Sequence, residues 1–383
     1  MRPTCEDDFT PEEEVLAVAL ELASGSWKIA FQDGKHAKPA VLTVSADQPA
    51  ARLQEVEREI GKIRRKWRVS LEARTVVLYE AGQDGFWIQR ALSARGIKTL
   101  ICDPGSIPMP RKHRRAKTDR LDAIKLVSCL RGWLRGELDR MHIIRIPEEQ
   151  DEAQRHLSRD RGELIKERGQ HRDRMRKLLR TVGCWDSVDG DIGRRLQQGQ
   201  YRCHDGARLP AELQERLVRE IERMELVDRQ LRELEDELAL QLPEATQERI
   251  ATLQRLKAVG SVGATRLVLE LFWRRFDNAK QVGACIGLVP QPYDSGESRV
   301  DQGISKQGNR KVRSLLIEMA RFWLRYQPGS AIAKWYATHI GGNGTSKRSK
   351  RSAIVAVARR VAIALWRYLE QGIVPEGAAL KAA

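Results

Sequence analysis

The chain has 383 residues, 68 Lys and Arg against 52 Asp and Glu, a formal charge of +16, and 41% apolar residues. That length suggests two or three domains, and the apolar share is too high for a disordered polyelectrolyte. No stretch approaches the roughly 18 uninterrupted apolar residues of a membrane span, so no integral membrane protein is expected. The first 14 residues carry six acids and no apolar run, which argues against a secretory signal. Six scattered cysteines without a C-x-x-C pair argue against a zinc ribbon or disulfide scaffold and fit a reducing compartment. The expectation is a cytoplasmic basic protein with a polyanionic partner.

The charge is unevenly laid out. Residues 111–180 hold 21 Lys/Arg against 12 Asp/Glu, and residues 299–368 hold 15 against Asp301 and Glu318. These two surpluses exceed the total, so the remainder is acidic. One basic run is commonly a solvated helix face; two on an acidic chain point to nucleic acid.

In chain order, Val15–Leu22 is a continuous apolar run, as in a strand covered on both faces. Ser24–Ser26 is a turn, Trp27–Phe31 its hairpin partner and Val41–Val44 a third strand. Residues 48–67 have helical spacing through Leu53, Val56, Ile60 and Ile63. Thr75–Tyr79 reads as another buried strand ending in Glu80, followed by a helix through Trp87, Ile88 and Leu92 and a strand Ile97–Cys102. This order predicts an α/β domain with a mixed sheet. A Pro/Gly-rich basic loop, Pro104–Arg115, precedes a helix starting near Thr118. Two charged helical stretches follow, 148–182 and one opened by Pro210 with Leu213, Leu217, Ile221, Met224, Val227, Leu231, Leu234 and Leu238 at spacings of three and four. They predict a helical hairpin or coiled coil with 183–209 as its tip or an irregular insertion. After Pro243 a mainly helical unit is expected. Gly260 and Gly263 suit a helix–hairpin–helix whose backbone N–H groups meet a phosphate. A loop over 287–307, helices at 310–325 and 353–369, and a basic linker at 346–352 complete it.

Four carboxylates are candidate metal ligands. Glu21 and Glu80 end apolar strands, where ligands of open α/β sheets collect. Asp119 and Asp122 share one face of a first helical turn, and Leu121 and Ile124 are expected to pack that helix on the sheet. Hard ions such as one or two Mg²⁺ want such oxygen ligands and leave room for phosphate. Asp119 also suits a helix N-terminus by its charge alone, Glu80 could pair with an arginine, and Asp84 and Asp103 are rivals by spacing. The seven histidines are dispersed, so a zinc hydrolase is not expected. Ser295-Gly296 reads first as a turn, although glycine beside serine also opens the hydroxyl to a bulky phosphodiester.

Together, Glu21, Tyr79-Glu80-Ala-Gly82, Lys117-Thr-Asp119-Arg-Leu-Asp122-Ala, Leu256–Gly263, Gly287-Leu-Val-Pro290, Ser295-Gly296 and Gly303-Ile-Ser-Lys306-Gln-Gly-Asn309 resemble the DEDD transposases of the 110/1111 group of insertion sequences, related to Piv-type invertases. The resemblance spans roughly residues 15 to 370. It implies a ribonuclease-H-like, RuvC-like metal domain over 14–147, a helical coiled-coil section over 148–249 and a helical transposase domain over 250–371. It also implies Mg²⁺ on Glu21, Glu80, Asp119 and Asp122, and Ser295 as the nucleophile on DNA, ranked above Ser298 and Ser305. Donor and target DNA, a structured non-coding guide RNA, assembly as homodimer or homotetramer, and action on the bacterial nucleoid follow from the same likeness. The family's first acid is usually Asp; Glu21 is one methylene longer. The nucleic-acid ligands expected are Arg111, Lys112, Arg114, Arg115 and Lys117 in the basic loop, Arg299, Lys306, Arg310 and Lys311 beyond the serine, and Lys347, Arg348, Lys350 and Arg351 in the linker. A metal-dependent nuclease or junction resolvase without a covalent step, and a non-catalytic RNA/DNA-binding relative, are the alternatives.

Overall fold

Val15–Glu21 forms the middle strand, β1, of a five-stranded sheet in the computed structural model, which describes residues 14–108, 118–295, 298–340 and 346–381. Trp27–Gln32 (β2) pairs antiparallel with β1, and Ala40–Val44 (β3) antiparallel with β2. Arg74–Glu80 (β4) lies parallel to β1 on its other side, and Lys98–Cys102 (β5) parallel to β4. The order β3-β2-β1-β4-β5 is the mixed sheet expected.

The unbroken apolar run of β1 has a simple cause: both faces of the sheet are covered. Leu16, Val18 and Leu20 join a core with Leu53, Val56, Ile60 and Ile63 of Pro49–Lys66 (α1) and Ile88 and Leu92 of Trp87–Ser93 (α2). Val15, Ala17 and Ala19 face the other way, toward Ala123, Leu126, Val127 and Leu130 of Asp119–Leu134 (α3). Burying each large aliphatic side chain contributes about 2 kcal/mol.

The chain divides into two compact units, 1–146 and 147–383. In the second, Glu149–Thr181 (α4) and Ala211–Gln241 (α6) pack together. Arg161 bonds Glu235, Arg168 bonds Asp228 and Arg174 bonds Glu220, so rising numbers on one helix meet falling numbers on the other: the pair is antiparallel. The predicted α6 stripe is buried from Leu217 to Leu238, and its first member, Leu213, is half-buried. Between the helices, residues 183–209 are not irregular. Ile192–Gln197 (α5), Cys184, Val188, Tyr201 and Leu209 form a small core with Met175, Leu179 and Leu217.

Glu244–Gln254 (α7) and Ser261–Leu267 (α8) follow, and a π-helical turn continues α8 over Val268–Phe272. After Ala279–Cys285 (α9), residues predicted as a loop form an antiparallel ribbon, Pro290–Ser295 (β6) and Ser298–Ile304 (β7). Pro290 and Pro292 hid it, since proline cannot donate to a ladder and occurs at edges; a two-stranded ribbon is all edge. Arg310–Tyr326 (α10), Ala331–Ile340 (α11) and Lys347–Gln371 (α12) complete the unit around the fully buried Trp323. The sequence reading lacked α11 and had the last helix start at 353. Ser346, accepting a hydrogen bond from the Ser349 N–H, caps it earlier, so the basic linker is its first two turns. Among the described residues no helix is long and apolar enough to cross a membrane.

Candidate active site

In the first unit the strand ends carry the chemistry. Leu20 of β1 is paired with Tyr79 of β4, so Glu21 and Glu80 are the next neighbours in register. Alternation along each strand puts both on the side of Ala17, Ala19, Val76 and Leu78, the face covered by α3. Near the other end of α3, the Arg131 guanidinium donates to the Val15 carbonyl at 3.2 Å, where β1 begins. From Arg131 back to Asp119 the helix rises about 18 Å; from Val15 to Glu21 the strand runs about 20 Å. Asp119 therefore reaches the level of Glu21, and the Thr118 hydroxyl starts the helix there by accepting from the Leu121 N–H.

The buried stripe of α3 differs from the expected one. Leu121 is 49% exposed, and Ala123, Leu126, Val127 and Leu130 pack on the sheet instead. At 100° per residue, Leu121 lies on the far side of that stripe, whereas Asp119 and Asp122, four residues before Ala123 and Leu126, extend it. Glu21 and Glu80 thus share one end of the sheet face that α3 covers, and the α3 stripe leads toward Asp122 and Asp119 in its first turn. Glu21, Glu80 and Asp122 are half-buried and Asp119 is exposed. Among the described residues no three Asp, Glu, His or Cys side chains are gathered closely enough to hold an ion as they stand. The all-oxygen donor set is nonetheless what a hard divalent cation takes. Cys102, in register with Glu80, is no rival: burial and then the Glu80 charge push its thiol up to about 12. Asp103 accepts from the Gly105 N–H through one of its two carboxylate oxygens.

In the second unit Ser295 is the last residue of β6, paired with Ser298 across the end of the ribbon. Gly287 and Gly308 hold the ribbon's base. Both have positive φ, and a Cβ on Gly308 would overlap the Cys285 carbonyl while one on Gly287 would overlap that of Gln307. Asn309 then opens α10 by accepting from the N–H groups of Lys311 and Val312 at 3.0 and 3.1 Å. Its own amide donates at 3.1 Å to Glu270, a buried acid of the π-helical turn that also receives Arg159 of α4 at 3.1 Å. Glu270 was absent from the sequence-based candidates. A single acid inside the apolar run Val268–Phe272 was the available signal, because a buried carboxylate needs partners.

Of the expected nucleic-acid ligands, Arg111, Lys112, Arg114, Arg115 and Lys117 lie outside the described residues, and Ser295 and Arg299 are placed by their backbone. Lys306 and Arg310 flank the Gly308-Asn309 turn. Lys311 reaches Glu163 at 3.2 Å. Lys347, Arg348 and Lys350 stand in the first turn of α12, where cations oppose the helix dipole; an anion placed there would relieve that repulsion.

Residues 250–336 match a family model described as transposase of the IS116/IS110/IS902 family. Residues 33–183 match a DEDD transposase model of the IS110 type, a span that contains Glu80, Asp119 and Asp122 and begins after Glu21. The chain is 37% identical over 378 residues to a putative transposase, y4rJ, of Sinorhizobium fredii, covering 95% of this chain and 94% of that one. It is 28% identical over 238 residues to the transposase for insertion sequence element IS1328 of Yersinia enterocolitica, covering 61% and 68%. To the transposase for insertion sequence element IS1111A of Coxiella burnetii it is 37% identical over 97 residues, a quarter of each chain.

Proposed function

Because the chain belongs to the IS116/IS110/IS902 family of transposases, enzymes that cut and transfer DNA, we propose that it moves an insertion sequence with a carboxylate site in its first unit and Ser295 in its second. The observation that carries this reading is the register that sets Glu21 beside Glu80 on the sheet face covered by α3, the helix that opens with Asp119 and Asp122. Those four residues would hold one or two Mg²⁺ ions, which neutralise charge building on phosphate oxygens when bound. The Ser295 hydroxyl attacks phosphorus as its proton leaves to a base; a serine–phosphate bond forms, the P–O3′ bond breaks and a 3′-hydroxyl departs, ready for religation. Exposed lysines and arginines beside the ribbon offset the charge of the pentavalent state.

The same reading has a structured RNA choose donor and target sites, with backbone charge and shape as its means of attachment. It has the chain act in the cytoplasm on the bacterial nucleoid as a homodimer or homotetramer built on the α4–α6 coiled coil. Val218, Leu226 and Leu240 support that last element, as a line of exposed apolar residues on the outer side of α6.

Trapping on a nicked suicide substrate tests the mechanism. Wild type should leave a covalent protein–DNA adduct, and Ser295→Ala should leave none. Active wild type without an adduct, or an adduct surviving that substitution, would establish a metal-dependent nuclease instead.

A further inference from the structure

The second unit contains a groove of about 1030 Å³ between α11, α12 and the base of the β6–β7 ribbon. It exists because α12 has two apolar faces. Val357, Val361 and Leu365 are buried in the core, whereas Val355, Ala356, Ile363 and Ala364 line the groove. Lys306, Arg351, Arg359, Arg360 and Arg367 stand along the same groove, and Glu376 is the one acid among the described residues of its lining. None of these five cations forms an ion pair among the described residues; Arg360 instead lies 4.1 Å from the centre of the Trp335 ring.

An apolar floor between free cations fits a ligand that is charged along its length and apolar between its charges. Duplex DNA stacks its base faces inside and offers a groove phosphate, sugar and base edges but no open apolar face. An unpaired strand offers both. Besides the cations, the described lining presents only Ser352, Glu376 and the Trp335 indole N–H as polar side-chain groups, a poor reader of the 2′-hydroxyl that marks RNA. We propose that this groove holds an unpaired stretch of DNA. From Arg351 to Arg367 it runs about 24 Å along α12. Pro290 at its edge is five residues along β6 from Ser295, about 17 Å, so a strand cut at the ribbon's end can lie in it. This proposal rests on the transposase reading and adds a place for the opened strand.

Fluorescence anisotropy on the full chain in EDTA, with labelled oligothymidylate of about 16 nucleotides, tests it. Ala356→Trp and Ala364→Trp fill the groove and should weaken binding about tenfold while leaving duplex binding within about twofold. Arg359→Gln with Arg367→Gln should flatten the salt dependence by about 1.4 in log–log slope, and serves if the tryptophans impair folding. Oligothymidylate binding unchanged in the filled and the neutralised variants would overturn the proposal. So would tighter binding of oligouridylate, or a filled groove that alters only the oligomeric state, which would assign it to RNA or to a second copy. The adduct assay on Ser295 is read separately: adduct formed with oligothymidylate binding untouched removes the groove and leaves the transposase reading standing.

Discussion

Glu270 joins three parts of the second unit, and its removal has a calculable cost. It accepts from the Asn309 amide at 3.1 Å and from the Arg159 Nε at 3.1 Å, with its own side chain 4% exposed. The Asn309 bond, made to a charged acceptor, is worth about 1.5 kcal/mol. Without it the amide is no longer held with its oxygen toward α10, and part of a cap worth about 1 kcal/mol is lost. Arg159 is nearly half exposed, so water screens that pair to about 0.5 kcal/mol. Relief from burying the carboxylate offsets about 1 kcal/mol. Glu270→Ala should therefore cost about 2 kcal/mol and Glu270→Gln, which keeps volume and one acceptor, about 1 kcal/mol. Urea unfolding of the second unit measures both. A double-mutant cycle with Asn309→Ala should give a coupling near 1 kcal/mol. A cost below about 0.5 kcal/mol, or no coupling, would refute the bridge.

Other substitutions separate chemistry from folding. Glu80→Gln and Asp122→Asn should each reduce DNA transfer at least a hundredfold while shifting stability by less than about 1 kcal/mol, since both side chains are only half-buried; thermal melts beside a transfer assay decide it. Gly308→Ala should destabilise by more than about 2 kcal/mol, because its Cβ meets the Cys285 carbonyl at a positive φ, as denaturant melts would show. The α4–α6 pair should weaken in acid. Burial would raise the Glu220 carboxyl, but hydrogen bonds from His171 and Arg174 outweigh it and hold it below the usual range. A depressed carboxylate contributes stability above its unfolded pKa of about 4.5 that is lost as pH falls through the folded value. Melts from pH 6 to 3 should show the loss, and Glu220→Gln should flatten that part of the curve.

The first unit was legible because its elements are determined locally. Strand β1 is apolar up to Glu21, and its parallel neighbour β4 is apolar from Val76 to Tyr79 and then meets Glu80. Helix α3 was found but turned the wrong way. Leu121 looked like a core residue by type, yet the stripe is chosen by what meets the sheet, and Ala123 and Leu126 do so. The correction strengthens the candidate site, since the true stripe leads to Asp119 and Asp122. In the second unit, two prolines disguised β6, and a run of Lys, Arg and Ser disguised the start of α12. Glu270 was missed for a different reason: the apolar run around it marks an acid that needs partners but does not say which. Its partners are 39 and 111 residues away, and no local pattern encodes that meeting.

Charge shows most sharply what tertiary structure adds. By composition the basic segment 111–180 and the basic segment 299–368 were equal candidates for a nucleic-acid surface. Within the first, Arg161, Arg168 and Arg174 are matched by Glu235, Asp228 and Glu220 across the helix pair, and Lys166 and Arg176 by acids on their own helix. Three of its arginines are therefore spent on register between α4 and α6. In the second, Lys306, Arg310, Arg351, Arg359, Arg360 and Arg367 meet no carboxylate among the described residues. An unpaired cation retains its full attraction for phosphate, whereas a paired one must first be released. Replacing Arg351 and Arg359 by Gln should consequently lower DNA affinity and its salt slope together, while the same exchange at Arg161 and Arg168 should lower the melting temperature and leave the slope alone. Equal slopes for the two pairs, measured by titration across salt, would return the two segments to equal standing.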